Sequence, residues 1–134
     1  MAFTLDQTHI DGIEEILQGY LPEVGIHCVL LIDMAGNIIA EHESGEKKHD
    51  IPSLAALSAA NFGAVNALAK IIGEEEFSLL FNKGEKENIH FSKVSDEFLL
   101  ICIFDNEVSL GLLRLKVAKA IGKMAEILES RQSG

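Results

Sequence analysis

The sequence contains few aromatic residues with a polar group, few prolines and few cysteines. It has no Trp, one Tyr, two Pro and two Cys among 134 residues. Cys28 and Cys102 both lie inside apolar runs, without a metal or redox spacing, so we interpret them as reduced core residues of a cytosolic protein. The N-terminus has no basic segment leading into an apolar core, which argues against a secretory signal.

Basic residues are also scarce. Eleven Lys and Arg stand against 21 Asp and Glu, giving a formal net charge of −10. This excess repels phosphate backbones and anionic membrane surfaces, so we expect no nucleic-acid partner. The uncharged run from Ile51 to Ala69 has the length of a spanning helix, but Ser, Asn, Gly, Pro and many Ala residues interrupt it. Its transfer free energy is therefore poor, and we expect no membrane insertion.

Motifs for nucleotide, cofactor and metal binding are missing as well. Neither G-x-x-x-x-G-K-[ST] nor G-x-G-x-x-G occurs, and no convergent polar set points to catalysis. His42 and His49 flank Glu43 and Glu46, but without tight His/Cys spacing the segment reads as a solvated loop. We therefore expect no catalytic residue, no cofactor and no metal site, and a protein that is not itself an enzyme.

What is present is a regular alternation of helical and strand patterns. The patterns predict a helix over 4–21, strands over 26–33 and 37–43, a helix over 51–72, strands over 76–84, 86–94 and 96–104, and a helix over 106–129. Hairpin-like connections join all strands except the pair separated by the middle helix. The order α-β-β-α-β-β-β-α predicts one α+β domain over 1–134, with an ordered core of about 4–129 and a tail at 130–134. We expect a five-stranded antiparallel sheet with the long helix on one face and the terminal helices on the other.

The middle helix lacks the charges of a solvated face. A helical wheel groups its larger apolar residues on one stripe, which we expect to bury against the sheet: Leu54, Leu57, Val65, Leu68 and Ile72. The opposite side carries small residues that would let another helix approach closely: Ala56, Ala59, Ala60, Gly63 and Ala67. A terminal helix of the same chain could cover this side, but each terminal helix shows only one apolar stripe.

We therefore predict a homodimer in which the small face of the middle helix meets its copy across a two-fold axis. An apolar edge strand supports this, because such an edge invites aggregation unless it is paired. The predicted dimer interface consists of Ala56, Ala59, Ala60, Gly63, Ala67, Phe77, Leu79 and Phe81.

The order and spacing of these segments resemble the Roadblock/dynein light-chain family. The resemblance runs from about Ile10 to Leu128 and rests on "VLLIDMAGNIIA", "SLAALSAANFGAVNALAK", "FSLLFNKG", "LLICIF" and "NEVSLGLLRLKVAKAI". Within the family the likeness is greatest to the bacterial gliding-motility type. That resemblance implies a dimer joined through the middle helix and third strand, which binds a small Ras-like GTPase and modulates its hydrolysis or localisation.

Carried onto this chain, the resemblance implies a partner-binding surface at the middle helix and its approaches: Pro52, Ser53, Ser58, Asn61, Phe62 and Val65. Two other functions remain open. One is a structural dimerisation adaptor that leaves the GTPase rate unchanged, and the other is a small-molecule sensor, which would need a roomy pocket.

Overall fold

The computed structural model of the chain describes residues 5–20, 25–44, 49–75 and 80–130. Eight elements follow one another in the predicted order: α1 (Gln7–Tyr20), β1 (Ile26–Asp33), β2 (Ile38–Glu43), α2 (Ile51–Ile71), β3 (Leu80–Lys83), β4 (Glu87–Lys93), β5 (Phe98–Asp105) and α3 (Leu110–Ser130). The last helix begins four residues later than predicted, because Asp105 accepts a hydrogen bond from the Glu107 backbone N–H and holds a turn there.

The five strands form one antiparallel sheet in the order β2-β1-β5-β4-β3. β5 is central, as its unbroken apolar run predicts, because a strand covered on both faces has no solvated side. β3 lies at one edge, where it pairs with β4.

Two apolar clusters fill the two faces of the sheet. One lies under α1 and α3 and includes Leu17, Leu31, Phe98 and Met124. The other lies under α2 and includes Leu30, Ile32 and Ile101. The predicted layers are therefore confirmed, with the long helix on one face and both terminal helices on the other.

The orientation of α2 differs from the wheel prediction by roughly a quarter turn. Ala55, Ser58, Phe62 and Ala69 face the sheet and are buried, whereas Leu57 and Leu68 are exposed. The prediction placed Leu57, Leu68 and Ile72 inward, and all three are exposed. The bulky residues beneath the helix belong to the strands instead, so small helix residues can lie close to the sheet.

Candidate interaction surface on the long helix

The outward face of α2 is apolar and exposed over most of the helix. Leu57, Leu68 and Ile71 expose 71%, 58% and 79% of their surface. Small exposed residues lie between them: Ala56, Ala60, Gly63, Ala64 and Ala67. The only charged residue of α2 is Lys70, in its last turn. A contiguous apolar patch of this kind marks an interaction surface more often than a solvated one. We call this set of eight residues the α2 outer face.

The terminal helices do not cover the α2 outer face, because α1 and α3 pack against the opposite face of the sheet. The alternative in which a helix of the same chain buries the small residues is therefore wrong for the described part of the chain. At Gly63, apart from its chain neighbours and the adjacent backbone of α2 itself, no heavy atom of the described residues lies within 4 Å of the position that a Cβ would take. The middle of this face is open to another molecule.

The start of α2 is fixed by a well-formed N-cap. The Asp50 carboxylate accepts hydrogen bonds from the Ser53 backbone N–H at 3.2 Å and from the Ser53 hydroxyl at 2.7 Å. These two bonds, the one from the hydroxyl first, lower the pKa of Asp50 below its ordinary value. Pro52 occupies the first turn, where its missing N–H leaves no bond unmade. The cap positions the apolar outer face relative to the sheet.

The residues predicted for the dimer interface fall into three groups. Ala56, Ala60, Gly63 and Ala67 are exposed on the α2 outer face, and Ala59 is half-buried beside them. The ring of Phe81 belongs to the chain's own core, because it stacks on Phe104 with centroids 6.0 Å apart. The other two predicted positions, Phe77 and Leu79, lie outside the described residues.

The residues predicted for partner binding also divide. Pro52, Ser53 and Asn61 are exposed, and Val65 is half-buried. Ser58 and Phe62 were assigned to a partner surface, but they expose only 6% and 5% of their surface and face the sheet. This assignment is wrong for both, because both side chains are buried within the chain itself.

Sequence reasoning missed the large members of the outer face: Leu57, Leu68 and Ile71. Their size suggested burial, but a helix that is apolar all round needs cover on both sides. The bulky runs "VLLI" and "LLICIF" already fill the sheet side. That signal could have indicated that the smaller residues of α2 face the sheet and its leucines face outward.

A shallow cavity of about 180 Å³ lies between α2 and the end of β4. Met34, Phe62 and Asn66 contribute to its wall, and Lys93 and Asp96 form an ion pair at 2.9 Å beside it. Its size and openness suit a protruding side chain of a protein partner better than an enclosed small molecule.

Comparison with known proteins agrees with this architecture. Residues 12–104 match the Roadblock/LC7 domain. The chain belongs to the Roadblock/LC7 family. A sequence search of curated proteins gives no significant match.

Three solved structures of MglB proteins are similar to the chain over nearly its whole length. An MglB with tetrameric arrangement is 30% identical, covers 97% of each chain and has a TM-score of 0.89. The gliding protein MglB of Thermus thermophilus is 30% identical, with coverage of 96% of this chain and 97% of that chain and a TM-score of 0.88. Myxococcus xanthus MglB is 33% identical, with 98% and 96% coverage and a TM-score of 0.83. This likeness places the chain among MglB-like proteins of the Roadblock fold.

Among the described helices, α2 alone is long and apolar enough to cross a membrane by length and composition. In this structure it lies on the sheet of a Roadblock domain, with Ala55 and Phe62 buried against the strands. Core helices of other folds pass the same test, so the apolar character of α2 is weak evidence for a membrane span.

Proposed function

We propose that this protein is a homodimeric regulator that binds a small Ras-like GTPase in the cytoplasm and modulates its GTP hydrolysis or its localisation. The observation that carries the proposal is the α2 outer face, where three large apolar side chains are more than half exposed. Family membership supports the choice of partner, because the gliding-motility type that the chain resembles acts on a Ras-like GTPase.

A second copy of the chain is the proposed occupant of the α2 outer face. Each exposed leucine or isoleucine gains roughly 1.5–3 kcal/mol on full burial, so leaving three in water is costly. Gly63 and its alanine neighbours allow two helix backbones to approach closely. The tetrameric arrangement described for a similar MglB supports self-association of this kind.

The dimer is tested by placing a charge at Gly63. The open space around Gly63 means that Gly63→Glu fits the isolated protomer, so its effect reports association rather than misfolding. Gly122→Glu is the matched control, because Gly122 is an exposed glycine of α3 whose Cβ position is equally open. By light scattering we expect a dimer for the wild type and Gly122→Glu, and a monomer for Gly63→Glu, because a buried unpaired charge is strongly unfavourable. A monomeric wild type, or a stable Gly63→Glu dimer, would contradict this interface.

The GTPase would bind beside the dimer seam, at Pro52, Ser53, Asn61 and Val65 on the flanks of α2. A net charge of −10 favours a partner with a basic surface. No phosphate-binding loop occurs in the chain, so the GTPase would supply its own nucleotide site and catalytic residues. The role of this protein would be to reposition those residues or to hold the GTPase in place.

The proposed effect on a GTPase is tested by measuring phosphate release. The assay uses a Ras-like GTPase of the gliding-motility type, with and without this protein. We expect faster hydrolysis with the wild type and loss of the effect with Asn61→Lys, which adds a positive charge against a basic partner. Ala118→Lys, an exposed position on α3, should behave as wild type. Binding without a change in rate would identify a structural adaptor, and no binding in either nucleotide state would overturn the GTPase proposal.

A further inference from the structure

The β1–β2 hairpin and the segment before α2 bring together a thiol, a carboxylate and an imidazole that lie far apart in the sequence. Cys28 on β1 is the direct cross-strand neighbour of Glu43 on β2, so both side chains stand on the α2 face of the sheet. His49, the residue before the N-cap Asp50 of α2, lies next to this pair. One ligand atom from each residue, Cys28 Sγ, a Glu43 carboxylate oxygen and a His49 ring nitrogen, lies within 4.8 Å of the other two.

The cluster is shielded from solvent. Cys28 is 1% exposed, and the side chains of Glu43 and His49 expose 13% and 20% of their surface. Glu43 Oε2 accepts a hydrogen bond from the His49 backbone N–H at 2.9 Å and also contacts His49 Nδ1. The carboxylate therefore fixes both the backbone and the ring of His49 at the edge of the sheet, with the thiol beneath them.

We propose that Cys28, Glu43 and His49 form a site for a divalent zinc-class cation, with a fourth position left for water or an external ligand. Thiolate, imidazole and carboxylate are the three ligand types that Zn²⁺ takes from proteins. Tetrahedral bonds of about 2.0–2.3 Å place neighbouring ligand atoms about 3.3–3.8 Å apart. The direct contact between Glu43 and His49 must therefore open to admit the cation, and no pair of ligand atoms needs more than a small further shift. The inference does not depend on the proposed GTPase function.

Binding replaces protons with the cation. The Cys28 thiol gives its proton to solvent as sulfur bonds the metal, and Nδ1 of His49 must present a lone pair, so its proton moves to Nε2 or to solvent. The Glu43 carboxylate exchanges its contact with that ring nitrogen for a metal–oxygen bond. The positive charge of the cation offsets the two negative ligands in a largely buried place.

Titration of the reduced, metal-free full-length protein with Co²⁺ tests the site directly. Thiolate-to-cobalt charge transfer in the near ultraviolet reports a Co–S bond, and added Zn²⁺ should displace the signal. The chain offers a matched control for the thiol, because Cys102 is also buried but faces the α1 and α3 layer. We expect the band in the wild type and in Cys102→Ser, and its loss in Cys28→Ser.

His49 and Glu43 give variants that do not alter a buried core position. His49→Gln and Glu43→Gln should each weaken Zn²⁺ binding at least ~10–100-fold in competition with a chromophoric chelator. His42→Gln is the control, because His42 alternates to the opposite face of β2. Zn²⁺ should also raise the thermal unfolding midpoint of the wild type but not of His49→Gln.

Any one of three outcomes would overturn the proposed metal site. They are no charge-transfer band in the folded wild type, a band that persists in Cys28→Ser, or Zn²⁺ affinity unchanged in His49→Gln. In each of these cases Glu43 and His49 are only a hydrogen-bonded anchor for the segment that precedes α2.

Discussion

His90 lies on β4, 1% exposed, on the side of the sheet covered by α1 and α3. Its Nδ1 is 3.1 Å from the Ser92 hydroxyl, while its Nε2 is buried with no hydrogen-bond partner among the described residues. Burial first, and then the positive charge of Arg114 on α3, lower the pKa of His90 to about 4. Its register neighbour Cys102 is uncharged at neutral pH, because burial raises the pKa of that thiol to about 12. The structure therefore makes His90 a neutral core residue at neutral pH.

The lowered pKa predicts a pH-dependent loss of stability. Unfolded His titrates near 6.5 and the folded residue near 4, so the unfolded state binds more protons between these values. The free energy of unfolding should be highest above pH 6.5 and fall by about 2–3 kcal/mol from this residue as the pH drops to 4.

Urea unfolding of the wild type and of His90→Gln between pH 7.5 and 4 measures this contribution. The variant cannot gain a proton at position 90, so its stability should fall less steeply with pH. His42→Gln, at a half-buried position of β2, should keep the wild-type slope. Equal slopes for wild type and His90→Gln would contradict the prediction.

At the scale of elements, the β1–β2 turn holds the hairpin against α2. The Asp33 carboxylate accepts hydrogen bonds from the backbone N–H groups of Ala35 at 3.0 Å and Asn37 at 2.8 Å. Gly36 takes a φ of +93°, and a Cβ built there would lie 3.3 Å from Cα of Ala56 on α2. The glycine thus serves both the turn and the close approach of the helix.

Substitutions at Gly73 and Gly36 distinguish the cost of the left-handed backbone from the cost of the close contact with α2. Gly73, just beyond α2, has a φ of +89° but open space around its Cβ position. Gly73→Ala should cost about 1 kcal/mol of unfolding free energy from the left-handed backbone alone. Gly36→Ala should cost about 1–3 kcal/mol more, because the turn or the helix must also shift. Chemical denaturation of both variants gives the difference, and equal losses would mean that the turn does not press on α2.

At the scale of the whole molecule, the unusual feature is the distribution of apolar surface. α1 and α3 share a packed layer, whereas α2 has bulky strands beneath it and its own leucines in solvent. Under the proposed function, a second copy completes the layer that the single chain leaves open.

This predicts a protein whose stability depends on its concentration. The thermal unfolding midpoint of the wild type should rise with protein concentration, because dimerisation stabilises the folded state by mass action. Leu57→Gln with Leu68→Gln should abolish that dependence and give a monomer in light scattering. Leu112→Gln with Leu115→Gln on α3 is the control, since these leucines are 43% and 55% exposed on another surface. A concentration-independent midpoint for the wild type would count against the dimer.

The sequence by itself determined the order and type of the elements, the central position of β5 and the layer arrangement. These follow from local periodicity, turn residues and the unbroken apolar run from Phe98 to Phe104, none of which needs knowledge of distant contacts. It also determined that α2 lacks a charged face, which is a matter of composition alone.

Only the tertiary structure decided which side of α2 faces the sheet. The rotation of a uniformly apolar helix depends on how its side chains fit the strands beneath it, so Phe62 is buried and Leu68 is not. The same holds for the cluster of Cys28, Glu43 and His49, because strand register, rather than sequence spacing, brings the thiol under the carboxylate.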